Sequence, residues 1–308
     1  MKAVRIHEFG GPEVLKLEET PIPEPADDEV LVRVQGASVN PVDYKIRGGG
    51  YPRVKADQLP MTLGRDIAGV IDRCGRAVQD FAMGDAVYAM LPSDRGGYAE
   101  FVTVKASACA RKPERLDAIQ AAAVPLAGLT AWQGLFDQGG LQAGQTVLIH
   151  GASGGVGHLA VQFARARGAT VIATARAEDR PFLKGLGATE VIDYKAQKFE
   201  DEVTSVDVVF DLVAGSTQDR SWSVLREGGA LVSTLQAPSA EKAAEHHAKA
   251  AHYMAEPNGA ELTEIARLID AGEVMPVIDR TYALPEAAEA ERRLETEHVR
   301  GKIVLEVR

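Results

Sequence analysis

The stretch that most restricts the fold is Val147-Leu148-Ile149-His150-Gly151-Ala152-Ser153-Gly154-Gly155-Val156-Gly157. An apolar strand runs straight into a glycine-rich turn, and a helix follows with Val156, Leu159, Ala160, Phe163 and Ala164 on one face. Glycine lets the chain turn tightly and lets its backbone approach a ligand. The helix N-terminus adds unpaired N–H groups and a partial positive charge, so the turn is a cradle for an anion. Glycines alone are weak evidence, since a ligand-free βα turn can carry them too. What separates the two is the second strand, Val171-Ile172-Ala173-Thr174-Ala175, at the roughly 20-residue spacing of a dinucleotide-binding βαβ unit. Ser153, Gly154, Gly155 and Val156 are the residues expected at the pyrophosphate.

In NAD-binding units an acid at the end of the second strand holds the ribose 2′-hydroxyl. Here that strand ends in Ala175, Arg176 comes next and Arg180 follows one helical turn later. The missing carboxylate removes repulsion from a 2′-phosphate, and guanidinium groups can grip one through paired donors. The expected cofactor is NADPH. Glu178 and Asp179 argue the other way if either faces the ribose; their place in a first helical turn suits the helix dipole instead.

The rest of the chain splits by texture. Residues 2–6, 29–35, 67–73, 86–90 and 98–104 read as short strands with Gly and Asp punctuation, the pattern of a compact β domain. Pro21-Ile22-Pro23-Glu24-Pro25 has no helical potential. From Asp117, a helix cap, the pattern becomes helical, with a second helix over 127–136 and then regular α/β alternation. Further strands are expected at 190–192, 206–211 and 230–234, ordinary helix over the alanine-rich 240–251, an amphipathic helix over 261–271, and a last strand at 302–307 returning to the β domain. The expected domains are 1–117, 118–257 and a return segment 258–308.

Composition narrows the partners. A net charge of −10 over 308 residues disfavours nucleic acid and anionic membrane surfaces. No stretch approaches the roughly 20 apolar residues of a membrane span, and the start of the chain lacks a signal-peptide core, so the expected location is cytoplasmic. Cys74 and Cys109 lie far apart, which reads as inert thiols rather than a disulfide framework or zinc site.

Five ordered motifs carry a family resemblance: Ser38-Val39-Asn40-Pro41-Val42-Asp43-Tyr44-Lys45, Leu63-Gly64-Arg65-Asp66-Ile67-Ala68-Gly69-Val70, Pro125-Leu126-Ala127-Gly128-Leu129-Thr130-Ala131-Trp132, the 151–157 turn, and Arg300-Gly301-Lys302-Ile303-Val304-Leu305. Over essentially its whole length the chain resembles the zinc-free quinone oxidoreductase and enone (alkenal) reductase branch of the medium-chain dehydrogenase/reductase superfamily. The resemblance implies an α/β architecture: a GroES-like β-barrel catalytic domain split around a doubly wound, parallel-sheet Rossmann domain, an active site in the cleft between them, and a homodimer. Zinc members of the superfamily place a Cys in the motif that here reads Ala37-Ser38-Val39-Asn40, and a His-Glu pair where this chain has Arg65-Asp66. With neither ligand available, no metal is expected.

Without a Lewis acid, conjugate reduction is the easier chemistry. Hydride addition to the β-carbon of an enone or quinone sends charge to an enolate oxygen, which needs hydrogen-bond donors and a dry site. Three residues are catalytic candidates: Asn40, Lys45 and Tyr51. Asn40 is open to two readings, an amide that orients substrate or nicotinamide ribose and a plain Asn-Pro turn. For Lys45 the alternatives are an ammonium beside the enolate and a solvated surface lysine, and for Tyr51 a pocket cap and barrel packing. Thr130 matches a position near the nicotinamide ring, or else caps or packs a helix. The resemblance puts Tyr194 beside the adenosine phosphate and Val213 at the adenine ribose. Lys302 reaches a cofactor phosphate or is simply a strand-end lysine. Asp43 and Asp66 read as anchors, and His246 and His247 as solvated. Other functions remain open: an NADPH-binding redox sensor with little turnover, and a 2-enoyl thioester reductase.

Overall fold

Antiparallel pairing builds the first part of the chain. A computed structural model describes all 308 residues. The opening strands are β1 (Lys2–Ile6), β2 (Lys16–Glu19) and β3 (Glu29–Val39), followed by the short helix α1 (Pro41–Arg47) and β4 (Met61–Thr62). Next come β5 (Asp66–Cys74), β6 (Ala86–Met90), β7 (Phe101–Lys105), β8 (Cys109–Arg111), α2 (Ala118–Ala122) and α3 (Pro125–Trp132). Asp117 caps α2 as expected, its carboxylate accepting from the Gln120 amide at 2.7 Å.

The parallel half contains β9 (Thr146–His150), α4 (Gly157–Ala166), β10 (Thr170–Ala175), α5 (Arg180–Leu186), β11 (Glu190–Asp193) and α6 (Phe199–Glu202). It continues through β12 (Val206–Asp211), α7 (Ser216–Ser221), β13 (Leu225–Ser233), α8 (Ala240–Glu245) and β14 (Lys249–His252). The strand order is β11-β10-β9-β12-β13-β14, every pairing parallel, with the order reversing beside β9. The chain ends with α9 (Gly259–Asp270), β15 (Ile278–Ala283), α10 (Ala287–Thr296) and β16 (Lys302–Glu306).

β3 is the spine of the barrel: β5 runs along it, β7 pairs its N-terminal half and β16 its C-terminal end. Its core includes Val30, Val32, Val34, Ile67, Ile71 and Ile303. β2, β1 and β4 form a separate small sheet.

The chain divides into one unit of Met1–Leu129, Glu256–Ala271 and Pro276–Arg308, and a second of Thr130–Ala255 and Gly272–Met275. The sequence changes texture at 117, yet the passage between units comes at Leu129. The reason is that α2 lies on the barrel: a Cβ at Gly36 of β3 would stand 3.0 Å from the Ala118 carbonyl.

Two elements differ from expectation. The stretch 240–251 is helical only to Glu245; Lys249–His252 is a parallel strand on β13. His246 stacks on Trp222 and His247 takes a φ of 48°, which turns the chain onto the open edge of β13. Sheet hydrogen bonds there outweigh alanine's helix propensity. The helix expected over 127–136 is α-helical to Trp132 and then π-helical over Gln133–Gln138. The Tyr253 hydroxyl donates to the Thr130 carbonyl, the acceptor an α-helix reserves for the amide of Gly134.

Candidate active and cofactor site

Level strand ends bring the cofactor candidates together. Ala175 pairs with Asp193, and His150 pairs with both Thr174 and Asp211, so β11, β10, β9 and β12 finish at one height. The residues that follow, Tyr194, Arg176, Gly151 and Val213, line one edge of the sheet, where open α/β sheets bind ligands. Gly151 has a φ of 70°, open to glycine without strain. A Cβ at Gly157 would stand 2.6 Å from Ala152 Cα, so the helix can start this close to the turn only with glycine. Ser153 is buried, while Gly154, Gly155 and Val156 are partly exposed.

Arg176 is partly exposed; its Nε lies 3.4 Å from the Tyr194 hydroxyl and its Nη1 3.6 Å from Glu178. Hydrogen bonding to Tyr194, the largest effect, raises its already high pKa, so it stays a cation. Arg180 is exposed at the first position of α5, and Tyr194 and Val213 are both about half exposed. Cationic and planar groups thus stand beside the cradle.

Two supports under this edge were not recognised in the sequence. Asp211 is buried; one carboxylate oxygen accepts from the amides of Val213 at 3.0 Å and Ala214 at 2.9 Å, shaping the loop that displays Val213. Its other oxygen accepts from Gln218 and Ser233. An Asp closing a strand just before a turn was the available signal. His150 is buried between the hydroxyls of Thr174 and Ser221, each 3.0 Å away. Ser221 donates its own proton to the Thr217 carbonyl, so Nε2 of His150 carries the hydrogen. Burial pulls its pKa down to about 4, leaving a neutral ring that ties β9 to β10 and α7.

In the barrel, β3, α1, β5 and β16 meet at a buried polar cluster. Asn40 N-caps α1, with Pro41 as the first helical residue, and the backbone amide of Asn40 donates to Asp43 at 2.7 Å. Asn40 thus makes the Asn-Pro turn, and its side-chain amide is held in one orientation by protein partners. The side chain is not presented to a ligand, however. It is 1 % exposed, with Nδ2 donating to Asp66 at 2.9 Å and to the Ser38 carbonyl at 3.3 Å, and Oδ1 accepting from Lys302. Lys302, at the start of β16, is buried too, 3.8 Å from Asp66. Burial lowers its pKa and Asp66 opposes that shift.

Asp66 acts as the expected anchor, accepting also from Ser38 at 2.5 Å and from the Leu126 amide at 2.6 Å. Asp43 accepts from the Tyr98 hydroxyl at 3.3 Å, and burial pushes its pKa up to about 7. Lys45 is exposed in the last turn of α1, and Tyr51 is partly exposed, packed against the barrel core. Thr130 is buried, at the start of the segment where α3 gives way to the π-helix.

Comparison with known proteins agrees with both halves. The family described as alcohol dehydrogenase GroES-like domain matches residues 26–114, and that described as zinc-binding dehydrogenase matches residues 186–305. The mitochondrial NAD(P)H oxidoreductase RTN4IP1 of Mus musculus is 36% identical, covering 91% of this chain and 82% of that protein. The chain belongs to the medium-chain dehydrogenase/reductase superfamily. The superfamily member known as NADPH-dependent alkenal/one oxidoreductase, chloroplastic, from Arabidopsis thaliana is 36% identical, covering 99% of this chain and 79% of that protein. The structure of the quinone oxidoreductase from Coxiella burnetii superposes with a TM-score of 0.93 at 39% identity, covering 100% of this chain and 99% of that one. The fold is accordingly a GroES-like domain combined with a parallel-sheet Rossmann domain.

Proposed function

We propose that the protein is a zinc-independent, NADPH-dependent reductase of quinones or small α,β-unsaturated carbonyl compounds. The observation that carries this reading is the cradle at Gly151–Gly157, where a Cβ on Gly157 has no room and an arginine rather than an acid follows the second strand. The relatives named for alkenal/one and quinone reduction support the acceptor class.

The residues present fit the cofactor. Backbone amides of Ser153, Gly154, Gly155 and Val156 would hold the pyrophosphate, Arg176 and Arg180 the 2′-phosphate, and Tyr194 and Val213 the adenosine, with Thr130 toward the nicotinamide ring. When bound, NADPH supplies the hydride. The exposed ammonium of Lys45 is the group offered to the enolate oxygen, and Tyr51 is the candidate wall of the pocket. Asn40 acts from inside the barrel, by setting the start of α1.

The donor set does not fit zinc. Asp66 is committed to Ser38, Asn40 and Leu126, and Arg65 donates to the Leu91 carbonyl at 2.6 Å. Cys109 is buried, its thiol pushed up to about 12, far from the thiolate that zinc requires. A homodimer in the cytoplasm belongs to the same proposal: β14 is an open edge of the parallel sheet, and no helix is long and apolar enough to cross a membrane.

Absorbance of reduced nicotinamide, followed with methyl vinyl ketone, a 2-alkenal and a benzoquinone after exhaustive chelation, tests the reading. Sustained oxidation of NADPH is expected. Tight binding without turnover would leave a sensor, and activity restored only by metal would contradict zinc independence.

A further inference from the structure

We propose that Lys302 is a positioning residue for reduction, acting through the Asn40 carboxamide; this rests on the reductase reading, with Lys45 as the group offered to the acceptor. The two ends of a primary amide are nearly equal in shape, so partners decide which way it points. Around Asn40 the partners allow one answer. The Asp66 carboxylate only accepts, and takes Nδ2 at 2.9 Å; the Lys302 ammonium only donates, and takes Oδ1. Reversing the amide would set NH2 against ammonium and carbonyl against carboxylate, in a place from which water is excluded.

This fixed amide belongs to the residue at which α1 begins and holds that residue to β5 and β16. Asn40 is the N-cap residue, anchored through its own backbone amide by Asp43, and Lys45 lies on the same helix. The final strand of the chain, 262 residues away in sequence, therefore sets where the site helix begins. Removing the ammonium strands the Asn40 oxygen and leaves Asp66 without its cation. The amide can then turn over and the cap loosens, while the dinucleotide cradle is left as it was.

Steady-state turnover of a 2-alkenal and fluorescence titration with NADPH, on the full chain, test this through Lys302→Met, Asn40→Ala and the double variant. Lys302→Met should lower kcat about tenfold, the loss expected for one hydrogen bond to a charged group, with the Kd for NADPH within about twofold of wild type. Because Lys302 acts through Asn40, the double variant should be no slower than Asn40→Ala, and Lys302→Arg should recover part of the loss. Independent, multiplying losses would overturn the proposal. So would a raised Kd with kcat intact, which would make Lys302 a cofactor ligand, or a lowered Tm with unchanged kcat. If Lys302→Met does not fold, the charge-balanced pair Lys302→Gln with Asp66→Asn is read for the same split between kcat and Kd. Failure of the reductase reading is seen separately, as a wild-type chain that binds NADPH and reduces no acceptor.

Discussion

A Cβ at Gly157 would meet the Cα and carbonyl oxygen of Ala152 at 2.6 and 2.7 Å, both of them backbone atoms. At Gly154 the nearest atom would be 3.5 Å away, an ordinary contact. Gly157→Ala should therefore shift the turn, costing about 1–3 kcal/mol in overpacking, and weaken NADPH binding by about tenfold or more. Gly154→Ala should be much milder; calorimetric titration of both variants checks the contrast, and equal effects would contradict it. These glycines were legible because a sharp turn into a helix writes its requirement in adjacent residues. Lys302 and Asp211 were not, because their roles depend on partners distant in sequence: Lys302 of β16 meets Asn40 at the end of the adjoining β3, and Asp211 meets Gln218 and Ser233. For Lys45 the sequence left an ammonium beside the enolate and a solvated surface lysine both open; the structure shows it exposed on α1 and shows Asn40 enclosed.

At the level of elements, α1 is held at both ends. Its N-terminus rests on the Asn40 cluster, and Arg47 at its C-terminus donates to Glu291 at 2.7 Å and Glu295 at 2.8 Å on α10, and to the Gly10 carbonyl at 3.2 Å. Arg47 and Glu291 are both buried, so Arg47→Met leaves a carboxylate without its cation. The expected loss is about 3 kcal/mol in urea unfolding, the scale of a broken buried pair; a change under a third of that would show that the helix is held by packing alone. Most elements were legible from periodicity, since alternation and helical spacing follow from which faces are buried. β14 was hidden because 240–251 reads as helix locally and the edge of β13 that captures it is a tertiary feature. The π-helical turn was hidden for a similar reason, its cause being the Tyr253 hydroxyl on the Thr130 carbonyl.

Across the molecule, buried titratable groups give the two units opposite responses to pH. In the first, Asp43 is raised from 3.8 to about 7, chiefly by burial. The folded chain keeps a proton that the unfolded chain has released, so this contribution is full below pH 3.8 and falls away as pH rises from there through about 7. In the second, His150 falls from 6.5 to about 4; its contribution is present above pH 6.5 and lost as pH drops toward 4. Urea unfolding between pH 4 and 7 should show Asp43→Asn removing a fall in stability with rising pH and His150→Gln removing a rise. A slope unchanged by either variant would contradict the assignment. The two-part architecture was legible because a β-rich texture and an α/β alternation occupy different stretches, whereas the exact crossing at Leu129 depends on α2 packing against β3.

The central claim is that the Gly151–Gly157 turn holds a dinucleotide whose additional phosphate meets arginine. Calorimetric titration of the wild type and the Arg176→Ala/Arg180→Ala variant with NADPH and NADH tests it most directly. The account predicts NADPH binding at least about tenfold tighter than NADH in the wild type, as charge-assisted hydrogen bonds to phosphate provide, and loss of that preference in the variant with NADH affinity unchanged. Equal affinities in the wild type, or a preference that survives without both arginines, would contradict it.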